Sequence, residues 1–207
     1  SAMGSVDDNG SHSNVAIGGG ALVGGTAAVV SCIVIGRNAM DATAANAQTG
    51  TIAIGDNALS SLTSGAYNTA IGYQSQNADL TGEANTAVGY NSLLVNVADS
   101  NTAIGKNAML DVVNGGDNVA IGAGAFGGAL GTTADNSSHN VAVGRDAAGG
   151  DWANEDCSNL VAIGSGSLAG ALAGNTADGT VAIGRSALAA LTSGAGNTAV
   201  GYQALAA

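Results

Sequence analysis

The sequence has no proline, one phenylalanine, one tryptophan and four tyrosines among 207 residues. Charged residues make up only 9%, whereas 34 residues are glycine, so this is not the composition of an ordinary globular domain. Because aromatic side chains are so few, the hydrophobic fraction of 46% comes mainly from Ala, Val, Ile and Leu. Any core built from these residues is thin, and the surplus of glycine and alanine indicates repetition.

Basic residues are scarce as well, with four Lys and Arg against 15 Asp and Glu and a net charge of −11. The chain cannot neutralise a run of phosphates, so we expect it to bind neither nucleic acid nor an anionic membrane. Val15 to Gly36 is uncharged and long enough to span a bilayer, but both of its ends are copies of the repeat described next.

A short pattern recurs along the chain: a β-branched residue, Ala, Ile or Val, and then Gly. Its spacing of 16 to 22 residues is too short for helix pairs and suits two short strands with two turns. The eleven repeat glycines are Gly18, Gly36, Gly55, Gly72, Gly89, Gly105, Gly122, Gly144, Gly164, Gly184 and Gly201.

Side chains alternate between the two faces of a strand, so the β-branched residues share one face and the alanine lies on the other. Ten copies have Ala at the middle position, and Val34 is the exception. The residue immediately before each glycine is predicted to form the structural core; this column is Ile17, Ile35, Ile54, Ile71, Val88, Ile104, Ile121, Val143, Ile163, Ile183 and Val200.

The positions after each glycine predict a turn. Asn or Gly stands two residues after it in seven copies, as at Asn38 and Gly124, and these types tolerate positive φ. A small residue and then a large apolar one follow in most copies, which predicts a second, shorter strand. Asn also stands four residues before the glycine in seven copies, as at Asn68, which predicts an amide ladder.

These columns predict an all-β fold, a parallel β-roll or solenoid of about eleven two-strand coils. Such a stack would be about 50 Å long at about 4.8 Å per coil. Residues 1–13 are interpreted as a cloning remnant and lead-in, and 14–207 as one repeat domain with longer rungs at 122–184. If the alanine column faced water, nothing would restrict ten copies to one small side chain, so both faces of the strand are expected to be packed. A thin coil also buries little surface by itself. We therefore expect a homo-oligomer.

The phrases Asn68-Thr-Ala-Ile-Gly-Tyr-Gln and Asn85-Thr-Ala-Val-Gly-Tyr-Asn resemble the YadA-like head repeat of trimeric autotransporter adhesins, and also repeat arrays of phage-type tail fibres. The resemblance covers residues 14–205. It implies a left-handed roll, a parallel homotrimer, an extracellular place on a bacterial surface or virion tail, and attachment to a glycan or protein receptor. The rungs are longer than those of typical adhesin heads, and this sequence does not include the basic neck and membrane anchor of a complete adhesin, so we expect it to be a segment of a longer fibre.

Two features are candidate surface-binding sites. The residue after the glycine is basic or Tyr in seven copies, including Tyr73, Tyr90 and Tyr202. Stacking of successive coils would set Arg37 beside Asp56, Tyr73 beside Tyr90, and Arg185 beside Tyr202. These pairs could bind a receptor, but they would equally be expected of a ladder that stabilises the coil or of a contact between subunits. The second feature is a loop inserted in one of the longer rungs, and its candidate binding residues are Asp151, Trp152 and Glu155. The same loop could simply be exposed to solvent and bind nothing.

No nucleophile, base and orienting group cluster in the sequence, so we expect no enzyme, no cofactor and no metal site. Cys32 and Cys157 lie about seven rungs apart, roughly 34 Å, so they cannot pair within a chain. Three copies of His139 around a threefold axis could bind a metal, although a structural histidine fits as well. Two alternative functions stay open: a polysaccharide-degrading tail spike using Asp146, Asp151, Glu155 and Asp156, and an ice-binding solenoid using one threonine per rung at Thr69, Thr86 and Thr102.

Overall fold

The computed structural model describes residues 10–23, 27–43, 47–78, 81–127, 136–150, 157–170 and 177–206, and these ranges contain strands and turns but no helix. The chain divides into two compact units between Ser100 and Asn101. The strands of the first unit are β1 (Val15–Ile17), β2 (Val29–Val30), β3 (Ile33–Ile35), β4 (Gln48–Thr49), β5 (Ile52–Ile54), β6 (Thr69–Ile71) and β7 (Thr86–Val88). Those of the second are β8 (Thr102–Ile104), β9 (Val119–Ile121), β10 (Val141–Val143), β11 (Val161–Ile163), β12 (Val181–Ile183) and β13 (Thr198–Val200).

Each unit is a β-solenoid in which every repeat adds one parallel strand. In the first unit the main sheet has the order β1-β3-β5-β6-β7, and β2 pairs with β4 beside it. In the second unit the order runs from β8 to β13 along the chain. Equivalent residues are partners throughout, even between β9 and β10, where Val119 pairs with Val141. The long repeats therefore keep the same strand register as the short ones.

The repeat glycine is required by both backbone conformation and space. At Gly55 φ is +141°, which residues with a side chain rarely adopt. A Cβ built there would lie 2.6 Å from the carbonyl carbon of Gly72 in the next turn. Gly164 meets Gly184 in the same way, also at 2.6 Å. The column is therefore glycine because successive turns touch at this corner.

The turn after the glycine is confirmed, but the second strand predicted beyond it is wrong. Asn38 and Asn57 have φ of 51° and 55°, as expected, and the large apolar residue two positions later is also left-handed, with φ of 51° at Leu59 and 47° at Phe126. The backbone therefore keeps curving instead of extending. A left-handed residue costs about 1–2 kcal/mol, and burying a large apolar side chain offsets this by about 1.5–3 kcal/mol.

The strand side chains that face the interior of the coil are those of the alanine column and not those of the column before the glycine, so the predicted core column is wrong for the single chain. Ala53, Ala103 and Ala182 are fully buried, whereas the residues immediately before the glycine are half-buried or exposed. The inward face of the strand is the one that carries the alanine column, and Val34, which stands in the same column, is fully buried as well. The larger β-branched side chains therefore point away from the coil.

The asparagine column is a ladder from side chain to backbone. The Oδ1 of Asn118 accepts the backbone N–H of Asn140 at 3.0 Å, and its Nδ2 donates to the carbonyl of Ser137 at 2.8 Å. Asn140 repeats both bonds one turn further, to Leu160 N–H and Cys157 carbonyl. Each buried amide thus satisfies two backbone groups of the following turn, which the predicted amide-to-amide ladder did not include.

Candidate interaction surface

The β-branched side chains form a continuous apolar surface on each unit, which we call the outer strip. In the first unit Ile71 is 37% exposed, and in the second Ile121 and Ile163 are 39% and 38% exposed. In-register pairing aligns these side chains from turn to turn. The strip of the first unit is Val15, Ile17, Ile33, Ile35, Ile52, Ile54, Thr69, Ile71, Thr86 and Val88; that of the second is Thr102, Ile104, Val119, Ile121, Val141, Val143, Val161, Ile163, Val181, Ile183, Thr198 and Val200.

One border of each strip, the exit edge, consists of the residues directly after the repeat glycines. On the first unit Arg37 Nη2 lies 2.7 Å from Asp56 Oδ2, and its Nε donates to the same oxygen at 3.1 Å. The hydrogen bond and charge of Asp56 raise the pKa of Arg37. Further along, Tyr73 and Tyr90 stack with ring centroids 5.4 Å apart and planes inclined by 8°. Both pairs were predicted from the spacing.

The exit edge of the second unit carries three of the four basic residues of the chain. Arg185 lies over the ring of Tyr202, with 5.9 Å from its guanidinium carbon to the centroid, as predicted. Arg145 lies 3.7 Å from the carboxylate of Asp146. Tyr202 is 66% exposed, and Tyr73 and Tyr90 are 43% and 48% exposed, so all three predicted tyrosines are accessible in the single chain.

The other border of each strip, the entry edge, consists of the exposed residues just before each strand. It carries Tyr67, which is 64% exposed, on the first unit. On the second unit the Nε2 of His139 lies 3.6 Å from a carboxylate oxygen of Asp117, and Asp178 accepts the N–H of Ser158 at 2.8 Å. Tyr67 was not among the binding residues predicted from the sequence. The sequence feature that indicates Tyr67 is the alternation Tyr67, Thr69, Ile71, Tyr73, in which every second residue is exposed or half-buried and so lies on the outer side of the strand.

The loop candidates Asp151, Trp152 and Glu155 lie outside the described residues, as does Asp156. Cys32 and Cys157 are both buried free thiols. Burial raises the pKa of Cys32, and hydrogen bonds with the backbone at Thr51, Val30 and Gly50 oppose this rise.

The part of the chain that the structure describes contains no pocket and no group of three or more His, Cys, Asp or Glu side chains arranged to hold a metal ion. No helix that could cross a membrane occurs within the described ranges. Comparisons with protein-family models, with curated proteins and with solved structures found no match to this chain. The candidate surface is therefore described only from the structure of this chain, as an apolar strip between two polar or aromatic edges.

Proposed function

We propose that the chain is a structural and adhesive segment of a homotrimeric extracellular fibre that attaches to a cell or another surface. The observation that carries this proposal is the outer strip, in which Ile and Val side chains are exposed at successive turns of the solenoid. Contiguous apolar surface of this kind marks an interaction site on a soluble protein. Three copies that turn their strips toward a common axis would bury it.

The coil itself supports an assembly because its own interior is small. The buried strand side chains are mostly alanine, and the large buried side chains, such as Leu59 and Leu62, come from the residues that follow the repeat glycine. Most of the large β-branched side chains therefore contribute little to the core of a single chain. In an assembly they gain about 25 cal/mol for each Å² of apolar surface removed from water.

The fibre and attachment parts of the proposal rest on the repeat sequence. The phrase Asn68-Thr-Ala-Ile-Gly-Tyr-Gln is similar to the YadA-like head repeats of trimeric autotransporter adhesins and to tail-fibre arrays. On this proposal the roll is left-handed and lies outside the cell or on a virion tail, and its partner is a glycan or protein receptor. Assays of glycan hydrolysis and thermal hysteresis separate it from the tail-spike and ice-binding alternatives.

The assembly is tested by measuring molar mass with light scattering after size exclusion. We expect three times the chain mass for the unaltered protein at micromolar concentration. Ile121→Arg with Ile163→Arg places two charges on the outer strip and should shift the mass toward the monomer while circular dichroism keeps its β signal. Thr192→Arg adds a charge at an exposed turn away from the strip and should leave the trimer intact. A monomeric unaltered protein would overturn the proposal.

The stacked tyrosines are tested with Tyr73→Ser combined with Tyr90→Ser. If this variant stays trimeric but attaches less to cells or immobilised glycans, the stack belongs to the receptor site. If it loses the trimer instead, the stack belongs to the contact between copies. Unchanged attachment by a trimeric variant counts against a receptor-binding stack.

A further inference from the structure

The basic residues of the second unit form a row along its exit edge. Lys106, Arg145 and Arg185 are all exposed. The positions between them in this column are occupied by the small residues Ala123 and Ser165, so basic and small side chains alternate from turn to turn. The whole chain has four basic residues and a net charge of −11. Three of its four cations therefore lie in one row of an acidic protein.

The spacing of this row is fixed by the backbone. The carbonyl of Lys106 accepts the N–H of Gly124 at 2.9 Å, and in the next turn the carbonyl of Ala123 accepts the N–H of Asp146 at 3.0 Å. Two equivalent steps lead on to Arg185. Neighbouring turns of a parallel stack are about 4.8 Å apart, so cations that are two turns apart leave the edge at intervals of about 9–10 Å.

The ion pair of Arg145 leaves its charge available to a ligand. Its Nη1 lies 3.7 Å from Oδ2 of Asp146, and 73% and 55% of the two side chains are exposed. Exposed pairs of this kind contribute little because water and salt screen them. Asp117 and Asp178 lie on the entry edge, at the opposite border of the strip. An anion that approaches the row can therefore replace the weak contact of Arg145.

The interval between the cations decides which polyanion fits the row. A nucleic-acid strand carries one phosphate about every 3.4 Å, so most of its phosphates would face no cation on this acidic protein. The side chains on one face of an extended polypeptide recur about every 6.4–6.8 Å, which also differs from the interval. Two sugar rings of an extended polysaccharide span about the distance between neighbouring cations. A polysaccharide with an acidic group on every second sugar therefore matches the row.

The side chains of the row suit such a ligand. Arg145 and Arg185 present forked N–H groups that bind a carboxylate or a sulfate through two parallel hydrogen bonds. The ring of Tyr202 lies 5.9 Å from the guanidinium carbon of Arg185 and holds it at its place in the row. Ala123 and Ser165 are too short to project, so a chain of sugar rings can lie flat along the edge. The described residues form no pocket, which fits a ligand bound along a row and not enclosed.

We propose that the exit edge of the second unit binds an extended acidic polysaccharide that has a carboxylate or sulfate group on every second sugar. Lys106, Arg145 and Arg185 each contact one acidic group, and the sugars between these groups lie over Ala123 and Ser165. This inference rests on the attachment role proposed above and names the class of its ligand. It does not depend on how many copies assemble.

The test measures binding of the full chain to hyaluronan, which has a carboxylate on every second sugar, and to chondroitin sulfate, which adds sulfate groups. We expect binding that weakens as the salt concentration rises, no binding of neutral dextran, and weaker binding of single-stranded DNA. Binding of chondroitin sulfate alone would assign the site to sulfate groups. If neither acidic polysaccharide binds, or if dextran or DNA binds as tightly, the inference is overturned.

Single substitutions locate the site. Lys106→Gln, Arg145→Gln and Arg185→Gln should each raise the Kd for the polysaccharide by a factor of about 2–5, as expected for one exposed ion pair, and the triple variant should not bind. Arg37→Gln is the matched control, because it removes the same charge from the first unit, and it should leave the Kd unchanged. Undiminished binding by the triple variant, or an equal loss in Arg37→Gln, would refute the proposed site.

A rearranged row tests the interval between the cations. Ala123→Arg combined with Arg145→Ala keeps three cations but moves the middle one by one turn, about 4.8 Å. We expect this variant to bind the polysaccharide more weakly than the unaltered protein. Equal affinity would mean that net charge alone decides, which overturns the choice of a polysaccharide with this repeat.

Molar mass measured on the same samples separates this inference from the proposed assembly. A trimeric protein that binds no acidic polysaccharide refutes the inference and leaves the assembly standing, whereas a monomeric protein that binds one does the reverse. If the triple variant loses the trimer and keeps its affinity for the polysaccharide, the row contacts another copy of the chain and the inference fails.

Discussion

Replacing Gly55 by Ala is expected to be among the most damaging single-methyl changes in the chain. Gly55 has φ of +141°, and its N–H donates to Ile35 in the preceding turn at 2.8 Å. An added Cβ would lie 2.6 Å from the carbonyl carbon of Gly72, so the methyl group meets backbone and not a flexible side chain. Neither the conformation nor the contact can be relieved without separating two turns.

Two costs add at this position. Holding alanine in a backbone conformation reserved for glycine costs about 1–3 kcal/mol. Forcing a methyl group into packed backbone costs about 1–3 kcal/mol more. The expected loss in free energy of unfolding is therefore about 2–6 kcal/mol, a large part of the 5–15 kcal/mol typical of a folded protein.

Two other glycines separate these costs. Gly201 has φ of +132°, but the nearest atom to its added Cβ is the Cβ of Ala204 at 3.9 Å, so Gly201→Ala should cost only the conformational part. At Gly19 no atom lies within 4 Å of the added Cβ, and Gly19→Ala should change stability by less than about 1 kcal/mol.

The assay is urea unfolding followed by circular dichroism, with the free energy of unfolding compared among the three variants. The expected order of destabilisation is Gly55→Ala, then Gly201→Ala, then Gly19→Ala. If Gly55→Ala and Gly201→Ala lose the same free energy, the contact between turns contributes nothing and the argument for close stacking fails.

Two further predictions concern buried polar groups. Asn118→Ala leaves the N–H of Asn140 and the carbonyl of Ser137 without their partner. It should therefore lower the free energy of unfolding, measured with urea, by about 2–6 kcal/mol. The control is Asn197→Ala, at a half-buried position, and an equal loss in the two variants would contradict the prediction. Burial raises the pKa of Cys32, so its contribution to stability is present below the unfolded pKa of about 8.5 and is lost as pH rises above it. Unfolding measured from pH 7 to 10 should show a smaller decline for Cys32→Ala, and an identical decline would refute this linkage.

The sequence predicted the pairs along the exit edge because a parallel stack in register brings equal columns together. Knowing the spacing of the repeat glycines was enough to place Arg37 beside Asp56 and Tyr73 beside Tyr90. The prediction failed at the second strand, where a small residue and then a large one, as at Leu59, were read as strand alternation. The backbone there alternates in the sign of φ, and side-chain types alone do not reveal that difference.

The repeat, its parallel stacking, its glycine corner and its asparagine column were therefore determined by the sequence, since each needs one residue type at one position in every turn. Which strand face lies inside was decided only by the tertiary structure. Alternation defines two faces but does not tell which of them the coil encloses, because that depends on how the rest of the turn folds back over the strand. In the folded chain Ala53 is fully buried and Ile54, on the opposite face, is half-buried. The β-branched residues therefore lie outside and form the outer strip on which the proposed assembly depends.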